Sequence, residues 1–113
     1  MVRRKDRRIQ KVLEILENNP SCSTDELAKG VNLSRSRLEH LFKEQAGMHL
    51  GDYVSECRLR TAAELLKSTD MSVKEIAHIA GYEHSSSFIR AFKHMFGAIP
   101  SDYRQSLAEM ANE

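Results

Sequence analysis

The hexapeptide Phe42-Lys43-Glu44-Gln45-Ala46-Gly47 is answered fifty positions later by Phe92-Lys93-His94-Met95-Phe96-Gly97, with the phenylalanine, the lysine and the closing glycine in register. Past the glycines the match continues, since Asp52-Tyr53 returns as Asp102-Tyr103. Upstream, Asp25-Glu26-Leu27-Ala28 is answered by Lys74-Glu75-Ile76-Ala77 at an offset of forty-nine. The second copy therefore holds one extra residue, placed around Glu83 to Ser85, where a turn absorbs an insertion better than a helix. Self-similarity at a fixed offset points to one supersecondary unit used twice.

Each copy repeats one local design. In the first, Ser23 or Thr24 caps a short helix, with Glu26 close enough for a capping box. Leu27, Ala28 and Val31 form its apolar face, and Gly30 and Asn32 break it. Ser34 caps a second helix that turns Leu38, Leu41 and Phe42 inward, and Gly47 stops it. In the second copy Ser72 caps, Val73, Ile76, Ala77 and Ala80 pack, and Gly81 makes the turn. Phe88, Ala91, Phe92 and Phe96 fill the core there, and Gly97 is the stop. Two short helices, a tight turn between them and a small residue (Ala28, Ala77) under the crossing make the helix-turn-helix pattern. An ordinary helical hairpin explains one such copy; two copies with matched polar faces argue against it.

Three further helices surround the repeat. Arg8 to Asn18 places Ile9, Val12, Leu13 and Leu16 on one face and ends at Asn19-Pro20. Gly51 to Lys67 is the longest, with Tyr53, Val54, Cys57, Ala62, Leu65 and Leu66 as packing positions. Pro100 opens the last helix at its first turn, with Tyr103 and Leu107 packing and the tail fraying after Glu109. Only two prolines and five glycines interrupt 113 residues, and no strand alternation is found. The reading is a single domain: a first helix-turn-helix unit over about residues 8–50, a linker helix over about 51–68 and a second unit over about 70–108.

Net charge is only +1, too balanced for indiscriminate binding to nucleic acid. Arg3, Arg4, Lys5, Arg7, Arg8 and Lys11 nevertheless crowd the start against Asp6. That cluster reads equally as a solvated helix end, an expression scar or a DNA contact. Cys22 and Cys57 are too few for a disulfide framework and read as reduced cytosolic thiols. No apolar run approaches the ~20 residues that cross a bilayer, and no signal-peptide pattern opens the chain. The expected location is cytoplasmic, at the nucleoid.

A helix-turn-helix unit lays its second helix in a major groove and presents the residues near that helix's N-terminus. The outward positions are Arg35, Ser36, Arg37, Glu39, His40 and Lys43 in the first unit. In the second they are Ser85, Ser86, Ile89, Arg90, Lys93 and His94. A helix from Gly51 to Lys67 spans roughly 25 Å at 1.5 Å per residue. With the widths of the units added, that reach is compatible with about one turn of the duplex, so one monomer could hold two consecutive major grooves.

The second half of the chain resembles the arabinose-regulator family of bacterial transcription factors in Gly81-Tyr82, Ser87-Phe88, Arg90, Phe92-Lys93, Phe96-Gly97, Pro100-Ser101 and Tyr103-Arg104. The first half is similar to that family's first unit in Leu33-Ser34, Leu38, Leu41-Phe42-Lys43 and Gly47, so the resemblance covers about residues 8–107. It implies an all-α fold of seven helices, with two homeodomain-like helix-turn-helix subdomains joined by a long central helix. It further implies sequence-specific binding to double-stranded promoter DNA, most often as an activator that also touches RNA polymerase, and no cofactor. The family's base-facing positions fall on Ser36, Glu39 and His40, and on Ser85, Ser86, Ile89 and Arg90. Two depart from the usual pattern. The family often has a longer basic or amide residue where His40 stands, and more commonly a small polar one at Ile89. Ile89 either touches a thymine methyl or is buried in the helix pair.

His40, His49, His78, His84 and His94 show no zinc-site pairing, and no catalytic constellation stands out, so an enzyme is not expected. The competing reading is a helical protein-interaction module that keeps the fold without binding DNA. Glu39 favours it slightly, because a carboxylate repels phosphate. Yet Glu39 can accept from cytosine N4, and Arg35, Arg37 and Lys43 surround it. Family members usually carry a separate sensing or dimerisation domain, for which 113 residues leave no room. The chain is therefore expected to be either a stand-alone regulator or the DNA-binding part of a longer parent chain, with its charged start and the abrupt end after Asn112-Glu113 leaning towards the latter.

Overall fold

In the computed structural model, which describes residues 6–111, the apolar spacing resolves into seven helices and no strand among the described residues. They are α1 (Arg7–Asn18), α2 (Thr24–Gly30), α3 (Arg35–Ala46), α4 (Leu50–Ser68), α5 (Val73–Ile79), α6 (Ser85–Phe96) and α7 (Pro100–Ala111). Arg3, Arg4 and Lys5 of the basic start lie outside the described residues. Helix α7 continues to Ala111, past the Glu109 at which the pattern led us to expect fraying.

The chain divides between Cys57 and Arg58 into two compact units, each with its own core. The boundary falls inside α4, so the long helix is more than a linker. Its first half brings Leu50 and Val54 to the first core, where they join Ile9, Val12, Leu16, Leu27, Leu38 and Phe42. Its second half brings Leu59, Ala62, Ala63 and Leu66 to the second core, with Ile76, Ala77, Ala80, Phe88 and Phe92. The repeat therefore extends further than the helix-turn-helix segments. Ile9, Val12 and Leu16 of α1 correspond at an offset of fifty to Leu59, Ala62 and Leu66 of α4, all six buried. Leu50 at the start of α4 corresponds to Pro100 at the start of α7, both buried. One helix thus closes the first copy and opens the second.

Two details of packing differ from the sequence pattern. Leu65 is only half-buried against the second core, whereas its neighbour Leu66 is buried, together with Leu59 and Ala63, which the pattern did not single out. Adjacent helical positions point ~100° apart, so only one leucine of such a pair can face straight inward. Gly30 does not break α2 but is its last residue. A Cβ there would come within 3.2 Å of Ile15 Cδ1, so the position is kept small by α1 beside it. The left-handed turn residue is Asn32, with φ 57°, and its partner in the second copy is Gly81, with φ 96°. Asparagine is among the few side-chain-bearing residues that occupy this region readily.

The caps match in place and differ in completeness. The Ser72 hydroxyl accepts from the Glu75 N–H at 3.1 Å, and Glu75 Oε1 accepts in return from the Ser72 N–H at 3.4 Å, a reciprocal capping box. In the first copy Ser23 Oγ accepts from the Glu26 N–H at 3.1 Å, but the Glu26 carboxylate accepts from the Ser23 hydroxyl. Ser72→Ala removes an N-cap acceptor from a seven-residue helix and is expected to lower stability by about 1 kcal/mol. Urea unfolding should show the loss, and an unchanged midpoint would show that the box contributes nothing. In α7, Arg104 reaches back to the end of α4, donating from Nε to the Leu66 carbonyl and from Nη2 to the Thr69 carbonyl, both at 3.1 Å. These carbonyls have no partner within the helix, and a guanidinium fork satisfies them and the negative helix end together.

Candidate nucleic-acid interface

Ser34 starts α3 by accepting from the Arg37 N–H at 3.2 Å, and Gly47 ends it in the left-handed conformation, with φ 78°. Leu38 and Phe42 face the first core, fully buried, with Leu41 half-buried beside them. The ring of Phe42 lies 5.4 Å from that of Tyr53. This anchoring leaves the other face exposed: Arg35, Ser36, Arg37, Glu39, His40 and Lys43 are all at the surface.

Helix α6 is held the same way. Phe88 and Phe92 are fully buried, Phe92 lies 5.2 Å from Tyr103, and Gly97 ends the helix at φ 79°. Ser86, Arg90, Lys93 and His94 are exposed, whereas Ser85 is half-buried. Ile89 falls between its two sequence readings: half-buried, it packs partly on the second core and shows the remainder outward.

The exposed faces differ in charge. On α3, Arg35 Nε donates to Glu39 Oε1 at 2.8 Å, and Arg35 Nη1 stands 3.9 Å from Asp25 Oδ1 of α2. The hydrogen bond to Glu39, then the charges of Glu39 and Asp25, raise the Arg35 pKa further above its ordinary value. His40, with 85% of its side chain exposed, places Nε2 3.9 Å from Glu44 Oε2, an ion pair only when the imidazole is protonated. Helix α6 carries no carboxylate at all. Arg90 and Lys93 are therefore uncompensated on their own helix, while the cations of α3 share it with Glu39 and Glu44.

Grooves flank both helices. In the first unit Arg8, Ser36, Arg37 and His40 help to line one of about 380 Å³, which brings the start of α1 beside α3. Arg8 itself is engaged: its Nε and Nη2 donate to the two oxygens of Asp6 at 3.0 and 2.9 Å. Those bonds, then the Arg8 N–H, hold the Asp6 carboxyl at about 2, well below the usual range. Asp6 is thereby the N-cap of α1. In the second unit a groove of about 670 Å³ is lined in part by Lys74, His78, Tyr82, His84, Ser85 and Ser86. Burial raises the Tyr82 hydroxyl pKa, opposed by the charge of Arg58. Lys74 and His84 line this groove and are not among the sequence-derived site residues. His84 could have been found by alignment within the chain, since it stands where the first copy has Ser34 and caps α6 without a side-chain bond.

Known proteins share this arrangement. Residues 27–106 match the family described as a helix-turn-helix domain. The chain is 34% identical over 91 residues to the probable transcription factor PqrA of Proteus vulgaris, covering 80% of this chain and 75% of that protein. It is 38% identical over 94 residues to YtdP, an HTH-type transcriptional regulator of Bacillus subtilis, covering 83% of this chain and 12% of that protein. The crystal structure of a transcriptional regulator from Chromobacterium violaceum, described as AraC-type DNA-binding, superposes with a TM-score of 0.79 at 30% identity. That match covers 90% of this chain and 93% of the other. The chain spans between 12% and 31% of the length of the first curated relatives it matches. No described helix is long and apolar enough to cross a membrane.

Proposed function

The chain belongs to the arabinose-regulator (AraC-type) helix-turn-helix family of transcription regulators, and from that membership we propose that it binds promoter DNA as a monomer, with α3 and α6 entering two adjacent major grooves. One observation carries the reading. Each copy of the repeat locks its second helix by two buried side chains, Leu38 and Phe42 or Phe88 and Phe92, and leaves a polar face outward. A helix held so rigidly presents side chains to base edges with little further ordering.

In this reading Ser36, Glu39 and His40 face bases in the first unit, with Arg35, Arg37 and Lys43 around them. In the second, Ser85, Ser86 and the outward part of Ile89 face the bases, and Ile89 is suited to a thymine methyl. Arg90 and Lys93 hold phosphates there, on a helix free of carboxylates. The wider role is activation of transcription in the cytoplasm, at the nucleoid, through contact with RNA polymerase. Its support is the family resemblance.

The test is stoichiometry on DNA. Footprinting a duplex recovered by selection should show protection of two successive major grooves on one face. Analytical ultracentrifugation of the same complex should give one chain per duplex. Two chains on a single helical turn would overturn the monomer reading, and no retention on any duplex would favour the interaction-only module.

A further inference from the structure

We infer that Arg35 is a positioning residue for Glu39 and not a phosphate anchor, so that the first unit selects the amino group of a cytosine. The inference rests on the proposed reading that α3 lies in a major groove with Glu39 towards the bases. Arg35, at the first position of α3, carries the charge that would ordinarily hold DNA. Its guanidinium is instead shared between two carboxylates, Glu39 at 2.8 Å and Asp25 at 3.9 Å. The three side chains together carry one net negative charge, which is a poor partner for a phosphate.

The same arrangement suits a base. A carboxylate accepts only. The bond from Arg35 Nε engages Oε1 of Glu39, and the carboxylate keeps further lone pairs, those of Oε2 among them, to accept from a base. In the major groove cytosine presents the N4 amino donor with no acceptor of its own beside it, whereas adenine places N7 next to its amino group. The N7 lone pair would repel the second carboxylate oxygen, so cytosine is favoured. In free protein both partners are well exposed, 61% and 48%, and water weakens the pair. Inside a groove water is displaced and the attraction rises as the effective dielectric falls. The Arg35 charge also offsets part of the repulsion between Glu39 and the phosphates.

The second copy supplies an internal comparison. At the corresponding positions Arg35 is replaced by Ser85, Glu39 by Ile89 and Asp25 by Lys74. All three members are absent together, as expected if they work as a set. The unit that keeps the carboxylate keeps the guanidinium that orients it.

The experiment uses the 113-residue chain and a pool of duplexes randomised over about 20 base pairs, roughly two helical turns. Wild-type protein should recover a cytosine at one position of the first half-site, preferred about tenfold over the other bases. Glu39→Ala should erase that preference, and Glu39→Gln should move it to adenine, which an amide side chain binds in bidentate fashion. Arg35→Ala should erase the preference at the same position while the others hold, and Arg35→Lys should restore part of it. Unchanged thermal midpoints would show that these exposed substitutions leave the fold intact. If Arg35→Ala weakens every duplex by one factor and keeps the cytosine, Arg35 is a phosphate contact and the inference is overturned. If Glu39→Ala alters no base preference, the reading of α3 at Glu39 falls, and the positioning role with it.

Discussion

Phe92→Ala is expected to lower stability by about 3–5 kcal/mol, the largest single effect of any substitution considered for this chain. The residue is fully buried, and its ring meets three others: Phe96 at 4.5 Å, Tyr103 at 5.2 Å and Phe88 at 5.7 Å. Truncation removes the transfer energy of the ring and leaves a cavity in the second core, beside Phe88, Phe96 and Tyr103. Such pairs add about 0.5–1.5 kcal/mol each beyond burial, so the upper part of the range applies. Phe42, the corresponding residue, is equally buried but meets one ring, Tyr53 at 5.4 Å. Phe42→Ala should therefore be the milder of the two. Urea unfolding of both variants measures the difference. Equal losses, or a loss below about 2 kcal/mol for Phe92→Ala, would mean that the aromatic cluster of the second unit is less tightly packed than its distances imply.

The contrast between these phenylalanines shows what the sequence makes legible. Phe42 and Phe92 could be paired at once because a fixed offset joins them, and the caps at Ser34 and Ser72 follow from side-chain chemistry within three residues of each helix start. The sequence left Ser23 and Thr24 as alternatives, and the structure places Ser23 at the cap. The double role of α4 was harder to read. Its correspondence to α1 is carried by apolar residues of changing size, such as Val12 and Ala62, and apolar identity is weakly specified by a core. Leu65 and Leu66 show the same limit, since tertiary packing decides which of two adjacent leucines turns inward. The outward set on α3 was legible because it is the complement of Leu38 and Phe42. The Arg35–Glu39 contact lies at the four-residue spacing that favours ion pairs on a helix, so it too was within reach. Asp25 was not, because its approach depends on how the left-handed turn at Asn32 sets α2 against α3.

Arg90→Ala is expected to weaken binding to every duplex by a similar factor and to lower the salt slope by about one, as for one lost phosphate contact. Arg90 is exposed on α6 between the buried Phe88 and Phe92, and no carboxylate on that helix competes for its guanidinium. Its charge is therefore free for the DNA backbone, whose attraction carries no sequence information. His40 stands at the corresponding place on α3, but its side chain is shorter and faces Glu44 at 3.9 Å, which offsets the charge the imidazole gains on protonation. A ring in that setting contributes little to the salt slope and can still exchange a hydrogen bond with a base edge. His40→Ala should thus redistribute preference among duplexes, by about tenfold at one base pair, with the slope nearly unchanged. Both variants should be titrated against a panel of single-base changes at two salt concentrations. The assignment fails if Arg90→Ala shifts a single base preference while His40→Ala acts uniformly, because reading and holding would then lie on the opposite helices.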